Sequence, residues 1–173
     1  MNRQIIIEKR LKMTADEVKI LSERAQKNLI LLDVFSSARS VMIYFPIQNE
    51  VAVDMILDRC EGKKVFAPRV IGNGIMEAVE LSGKIKKGKF GIEEPVGAAY
   101  TGGIDLYIVP GVIFSEMGDR VGRGAGYYDR FLKGRSGVKV GLCYSFQTDN
   151  TVKTNETDVA MDIVVTDEGV FNL

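Results

Sequence analysis

The stretch 118–132, GDRVGRGAGYYDRFL, concentrates residue types that can hold an anion. Gly122, Gly124 and Gly126 stand just before a segment with helical spacing. Bare backbone N–H groups can therefore approach a phosphate while the start of the helix adds its positive dipole end. Arg120 and Arg123 add guanidiniums whose planar fork matches phosphate oxygens in a way that lysine does not. The stretch is neither a Walker A loop, which needs G-K-[ST], nor a G-x-G-x-x-G dinucleotide turn. On its glycines alone it reads equally well as a structural turn. Taken alone, Asp129 reads as an acidic residue favoured by the dipole in the first turn of a helix.

The rest of the composition narrows the chemistry. The 173 residues include no histidine, which excludes Ser-His-Asp and Cys-His catalysis as well as histidine metal sites. A reaction must then run on carboxylates, arginine and lysine, tyrosine hydroxyls, backbone amides and a bound metal. Lysine plus arginine and aspartate plus glutamate balance at 23 each, so no global field draws in nucleic acid or an anionic membrane, and any anion site must be local. With 46% apolar and 27% charged residues, the chain has the profile of a globular protein, expected as one compact domain, 1–173, acting as a monomer. Cys60 and Cys143 are too far apart for a zinc set or a disulfide framework and read as free thiols. The polar N-terminus and the lack of any long apolar run point to the cytoplasm.

The elements that must position these residues follow from periodicity. Residues 3–32 read as two helices breaking near Met13, with Thr14 and Glu17 spaced as a capping box. Strands are expected at 40–45, 64–67, 105–109, 138–144 and 161–166, with an antiparallel segment at 75–79 after a turn at 72–74. Helices are expected at 49–60 and at about 125–134, and 82–103 as loops with little regular structure. Strands alternating with helices imply an α/β fold, a mostly parallel sheet covered on both faces, with ligands beyond the carboxyl ends of its strands. Pro46, Pro68, Pro110 and Tyr144 should therefore gather at one edge.

The run Tyr127-Tyr128-Asp129-Arg130 makes the glycine-rich segment far more specific. The whole of 118–132 resembles the signature of the 5-formyltetrahydrofolate cyclo-ligase, or methenyltetrahydrofolate synthetase, family. The resemblance extends over YFPIQNE (44–50), FAPR (66–69), FGIEEP (90–95), DLYIVPGVIF (105–114), VGLCYSFQ (140–147) and ETDVAMD (156–162), in the family's order. It implies a three-layer α/β/α, Rossmann-like fold of the NagB/RpiA/CoA transferase-like kind. It also implies ATP- and Mg²⁺-dependent conversion of 5-formyltetrahydrofolate to 5,10-methenyltetrahydrofolate, with release of ADP and phosphate.

Carried over residue by residue, the resemblance assigns ATP to Arg3, Arg120, Gly122, Arg123, Gly124, Ala125, Gly126, Tyr127 and Tyr128. The folate falls to Arg3, Phe45, Glu50, Arg123, Gly124, Ala125, Gly126 and Tyr127, catalysis to Arg123, Tyr127 and Asp129, and Mg²⁺ to Asp129 and Asp158. Each has a plainer reading: Arg3 a solvated terminal charge, Phe45 a core aromatic, Glu50 an exposed carboxylate starting a helix, Asp158 a loop residue before a strand. Tyr144 and Gln147 extend from a strand end toward the site, although core packing explains Tyr144 equally well. Two positions depart from the family pattern. The lysine of its N-terminal K-x-x-L-R would precede Met1, so that its cation is either missing or replaced by Lys9 or Arg10, and Ala125 stands where many members carry lysine or glycine. A binding-only nucleotide or folate regulator on the same fold is the alternative.

Overall fold

The structure, a computed structural model, describes residues 2–88, 91–152 and 154–172; Phe90, which opens the FGIEEP stretch, lies outside them. Helix α1 (Arg3–Leu11) is started by Asn2, whose side chain accepts from Gln4 N at 2.8 Å. Helix α2 (Ala15–Ile30) begins at the expected capping box: Thr14 Oγ1 accepts from Glu17 N at 3.2 Å and Glu17 Oε2 accepts from Thr14 N at 2.7 Å. A short α3 (Asp33–Ser37), not anticipated, leads to β1 (Ser40–Met42).

The expected helix at 49–60 contracts to α4 (Asp54–Asp58). The cause is local. Gln48 and Asn49 sit at φ 50° and 55°, outside the helical region, and Asn49 Nδ2 donates to Arg10 O at 2.8 Å, capping the end of α1. Strand β2 (Lys64–Gly72) runs through Pro68 rather than stopping there. Even-numbered backbone groups of β2 face β1, as Phe66 O does in accepting from Ile43 N. Since β1 ends at Met42, opposite Phe66, the missing N–H of Pro68 leaves no ladder bond unmade. The Asn73–Gly74 turn, both residues at positive φ, returns the chain into β3 (Ile75–Glu80), antiparallel as expected.

Residues 82–103 hold more order than expected: a hairpin of β4 (Ile85–Lys87) and β5 (Glu93–Pro95), then β6 (Ala99–Tyr100) on the edge of the main sheet. The chain continues through β7 (Leu106–Val109), the small hairpin β8 (Ile113–Phe114) and β9 (Arg120–Val121), α5 (Tyr127–Leu132), β10 (Val138–Leu142), β11 (Ile163–Val165) and β12 (Val170–Asn172). The sheet order is β12-β11-β10-β7-β1-β2-β3-β6. Its five central strands are parallel, and antiparallel strands extend both edges, β12 and β6 being ones the sequence pattern does not mark.

Alternation along these strands builds two cores. Val41, Ile43, Leu106, Ile108, Val140 and Leu142 face Ala25 and Leu29 of α2, while Met42, Tyr107, Val109 and Val164 face Phe131 and Leu132 of α5. Helices thus cover both faces, the second more thinly because α5 has only 6 residues. Cys60 and Cys143 are buried free thiols, and among the described residues no helix is long and apolar enough to cross a membrane.

The starts of β1 and β7 are tied together by Asp105, whose Oδ2 accepts from Arg39 N at 2.8 Å, Ser40 N at 2.9 Å and Ser40 Oγ at 3.0 Å. These bonds, that from Arg39 N foremost, hold its carboxyl below the usual range. A depressed folded value means stabilisation that is complete above the unfolded carboxyl value of about 3.9 and is lost as pH falls through the folded one. Asp105→Asn should therefore lower the thermal midpoint at neutral pH and weaken its dependence on pH below about 4. Melting curves from pH 2 to 7 check both, and parallel wild-type and variant curves would show that Asp105 has no such role.

Candidate active site

Beyond the carboxyl ends of β1, β2 and β7 lies a cavity of about 720 Å³. Of the proline markers, Pro68 and Pro110 reach it, as do Tyr44, Phe45 and Glu50 from the loop after β1. Tyr144 does not line it: the residue is buried, sharing a hydrogen bond with Ser22 Oγ at 3.1 Å and stacking on Phe146. Gln147 is also internal, its Nε2 donating to Gly111 O at 3.1 Å and Val112 O at 2.9 Å. Both are packing residues.

The glycine loop forms one wall. Gly124 has φ 100°, a backbone conformation that favours glycine, and the Arg3 guanidinium lies against it, Nη1 falling 2.8 Å from where a Cβ would stand. Arg3 Nη1 also donates to Gly122 O at 3.4 Å. The helix that follows starts at Tyr127, two residues later than expected, because Gly126 adopts the left-handed region at φ 66°. With so short a helix the dipole contribution is small, leaving the loop's amides and arginines as its main attraction for anions. Arg130, which sequence reasoning passed over, clamps the loop: its Nη2 donates to Ala125 O and its Nε to Gly74 O at 2.8 Å.

Arg120 is 4% exposed, and its Nη2 is committed to Asp129 Oδ1 at 2.7 Å. It holds the aspartate in place more than it offers a free fork. Asp129 Oδ1 also accepts from Val159 N at 3.2 Å, while Asp158 Oδ2 accepts from Asn155 N at 2.7 Å. Both carboxylates line the cavity, and their other oxygens, Asp129 Oδ2 and Asp158 Oδ1, take no part in these bonds. Among the described residues no group of three or more acidic, cysteine or histidine side chains forms a preassembled metal cage. Two carboxylates suit an ion that keeps water and phosphate in its shell.

Glu50 is no exposed helix carboxylate. It is 8% exposed, with Oε1 shared between Arg123 Nη2 at 3.0 Å and Arg10 Nη1 at 3.5 Å, and Oε2 accepting from Ile47 N at 3.2 Å. Burial depresses the Arg10 guanidinium below its ordinary value, and Glu50 pulls the other way. Arg123, half-exposed, also donates to Gln48 Oε1 at 2.6 Å. The cation expected from Lys9 or Arg10 does not reach the cavity wall: Lys9 lies over the Phe146 ring and Arg10 is buried beneath Glu50. Arg3, Ile6 and Arg10 share one face of α1 at helical spacing, a signal that could have marked Arg10 as inward-facing.

Tyr127 and Tyr128 line the cavity from the first turn of α5, and Phe45 lies half-buried beside them. Burial, reinforced by Glu50 and opposed by Arg120, raises the Tyr128 phenol well above its ordinary value, so it stays a protonated donor. Every residue that the resemblance assigns to ATP, folate, catalysis or Mg²⁺ therefore lines one cavity, whereas Tyr144, Gln147, Lys9 and Arg10 do not.

A sequence profile of the 5-formyltetrahydrofolate cyclo-ligase family matches residues 1–167. The chain belongs to this family. A probable 5-formyltetrahydrofolate cyclo-ligase of Caenorhabditis elegans is 30% identical over 89% of this chain and 85% of its own. The NMR structure of Aquifex aeolicus 5,10-methenyltetrahydrofolate synthetase superposes with a TM-score of 0.88 at 34% identity, covering 99% of this chain and 90% of that one. The Mycoplasma pneumoniae 5,10-methenyltetrahydrofolate synthetase gives a TM-score of 0.77 at 26% identity, covering 95% and 96%. Membership in the cyclo-ligase family places the chain among enzymes rather than binding-only regulators.

For this cyclo-ligase fold, the charge around Glu50 carries a stability prediction. Glu50→Ala leaves Arg10 buried without its counter-charge, a change expected to cost about 3–5 kcal/mol. Urea denaturation measures it, and a loss below about 1 kcal/mol would mean that Arg10 finds other solvation.

Proposed function

We propose that the chain acts as one cyclo-ligase domain that converts 5-formyltetrahydrofolate and ATP to 5,10-methenyltetrahydrofolate, ADP and phosphate. The observation that supports this most is the joining, in one cavity, of the glycine loop with Arg3, Arg123, Asp129 and Asp158 to a lining that includes Phe45 and Glu50. Its volume, about 720 Å³, lies within the range of small-molecule sites.

The amide oxygen of an N-formyl group is a poor leaving group. In this reading it attacks the γ-phosphate, ADP departs, and N10 of the same folate closes on the phosphorylated imidate carbon with loss of phosphate. Such chemistry asks for positioning and charge stabilisation, which need no histidine. The amides of Gly122, Gly124, Ala125 and Gly126 and the guanidiniums of Arg3 and Arg123 bind the phosphates, with Arg120 lending charge from beneath. Arg123 then moves from Glu50 and Gln48 onto the transferring phosphoryl group, and Glu50 is left to accept from the pterin. Tyr127 and Phe45 flank the folate, and Tyr128 donates toward the nucleotide. Asp129 and Asp158 would hold Mg²⁺, which neutralises phosphate charge when bound.

Absorbance of methenyltetrahydrofolate formed from 5-formyltetrahydrofolate and Mg-ATP tests the activity, and no product from the wild-type chain would sink it. Asp129→Asn, which can still accept from Arg120, should lower kcat roughly 100-fold and raise the Mg²⁺ concentration needed for half-activity. Undiminished activity would remove Asp129 from the metal assignment. Ala125→Lys should tighten ATP binding, because the loop lacks a lysine there; an unchanged dissociation constant would show that Arg3 and Arg123 already saturate the phosphates.

A further inference from the structure

One wall of the cavity carries an acidic residue with no role in the reading above. Glu94, on β5, is 4% exposed and faces the cavity among Pro68, Val70, Met76 and Ile92. Its Oε1 accepts from Val70 N at 2.9 Å, and no other hydrogen bond to the carboxylate is made among the described residues. No cation among them neutralises it. Lys86, its cross-strand partner in the β4–β5 hairpin, is exposed and forms no ion pair with it, and Arg69 is taken by Glu77.

The placement is built rather than incidental. A Cβ on Gly88 would fall 1.9 Å from Glu94 Cδ and 2.0 Å from Oε2, so the carboxylate occupies room that only glycine leaves. The contrast with Glu50 is chemical. Glu50 is engaged by two guanidiniums and a backbone N–H, whereas Glu94 has one backbone donor and can accept several more. A carboxylate held out of water without a counter-charge is costly for stability and belongs where a ligand completes its hydrogen bonding. That ligand is not the triphosphate, which a carboxylate repels.

We propose that Glu94 is a further substrate-binding residue, accepting hydrogen bonds from the ring N–H and amino donors of the reduced pterin while Val70, Met76 and Ile92 offer apolar contact. The inference rests on the folate reading above and adds a second carboxylate to it. Nucleotide stays at the arginine-rich wall, and the acidic wall selects a neutral heterocycle with adjacent N–H groups.

Glu94→Gln separates this from a structural role, because the amide oxygen can still accept from Val70 N at nearly the same volume. Expected are a folate KM, and a dissociation constant for 5-formyltetrahydrofolate without nucleotide, raised roughly tenfold or more. The kcat at saturation and the ATP KM should stay at wild-type values, and the melting temperature should not fall, because the buried charge is removed while the bond from Val70 N is kept. Glu94→Asp, which keeps the charge but withdraws it by one methylene, should fall between the two and serves if the glutamine variant does not fold. Unchanged folate binding in either folded variant overturns the proposal, and so does a loss confined to kcat, which would make Glu94 a group of the chemical step. If the wild-type chain forms no methenyltetrahydrofolate, the catalytic reading fails by itself, while the direct binding measurement still decides the role of Glu94.

Discussion

Glu50 lies buried between Arg10 and Arg123, and charge removed from water in this way is tolerable only while a counter-charge and hydrogen-bond donors stay beside it. That constraint organises the site. Helix α1 is nine residues long, and its buried residues are Ile6 and Arg10. So short a helix has little stability of its own, and its docking relies on that face. Docking in turn carries Arg3, on the same face, across to the glycine loop. The same carboxylate draws Arg123 and the loop toward β1. A terminal helix, a strand-end loop and a glycine loop, far apart in the chain, thus meet at one side chain.

The cavity divides by charge around that junction. Arginines and the paired Asp129 gather at the glycine loop, whereas the side formed by β2, β3 and β5 is apolar apart from Glu94. The Arg120–Asp129 pair has a structural cost and a functional use. Almost buried, it fixes the aspartate's orientation through one oxygen at the cavity wall. On the proposed reading, a polyanion binds beside a planar heterocycle, and such separation keeps each ligand out of the other's surroundings.

How much of this was legible in the sequence varied with the range of the interactions. The capping box of α2, the β-branched strands and the positive-φ turn after β2 are local signals, and the structure follows them. The proposed helix at 49–60 failed because Gln48 and Asn49 adopt left-handed backbone and Asn49 caps a helix about 40 residues earlier, a tertiary contact with no local mark. The hairpin within 82–103 was hidden because β4 is exposed along its length and has no apolar alternation to betray it. At the site, the glycines and the residues after them marked a loop that lines the cavity, but the commitments of its arginines did not show. Glu94 escaped notice because its burial depends on a missing side chain across a hairpin. Tyr144 read equally well as reaching toward the site or as core packing, and the structure shows the packing, with its hydroxyl on Ser22.

The clamp made by Arg130 has a thermodynamic meaning. Flexible glycines ordinarily make a binding loop a disordered one, which must lose backbone freedom each time a ligand arrives. Here one guanidinium bridges Ala125 O and Gly74 O, bracing the loop against the β2–β3 turn. The glycines then contribute shape without floppiness. Ordering entropy has been spent during folding, and capture of an anion becomes closer to filling a mould than to wrapping a strand around a guest.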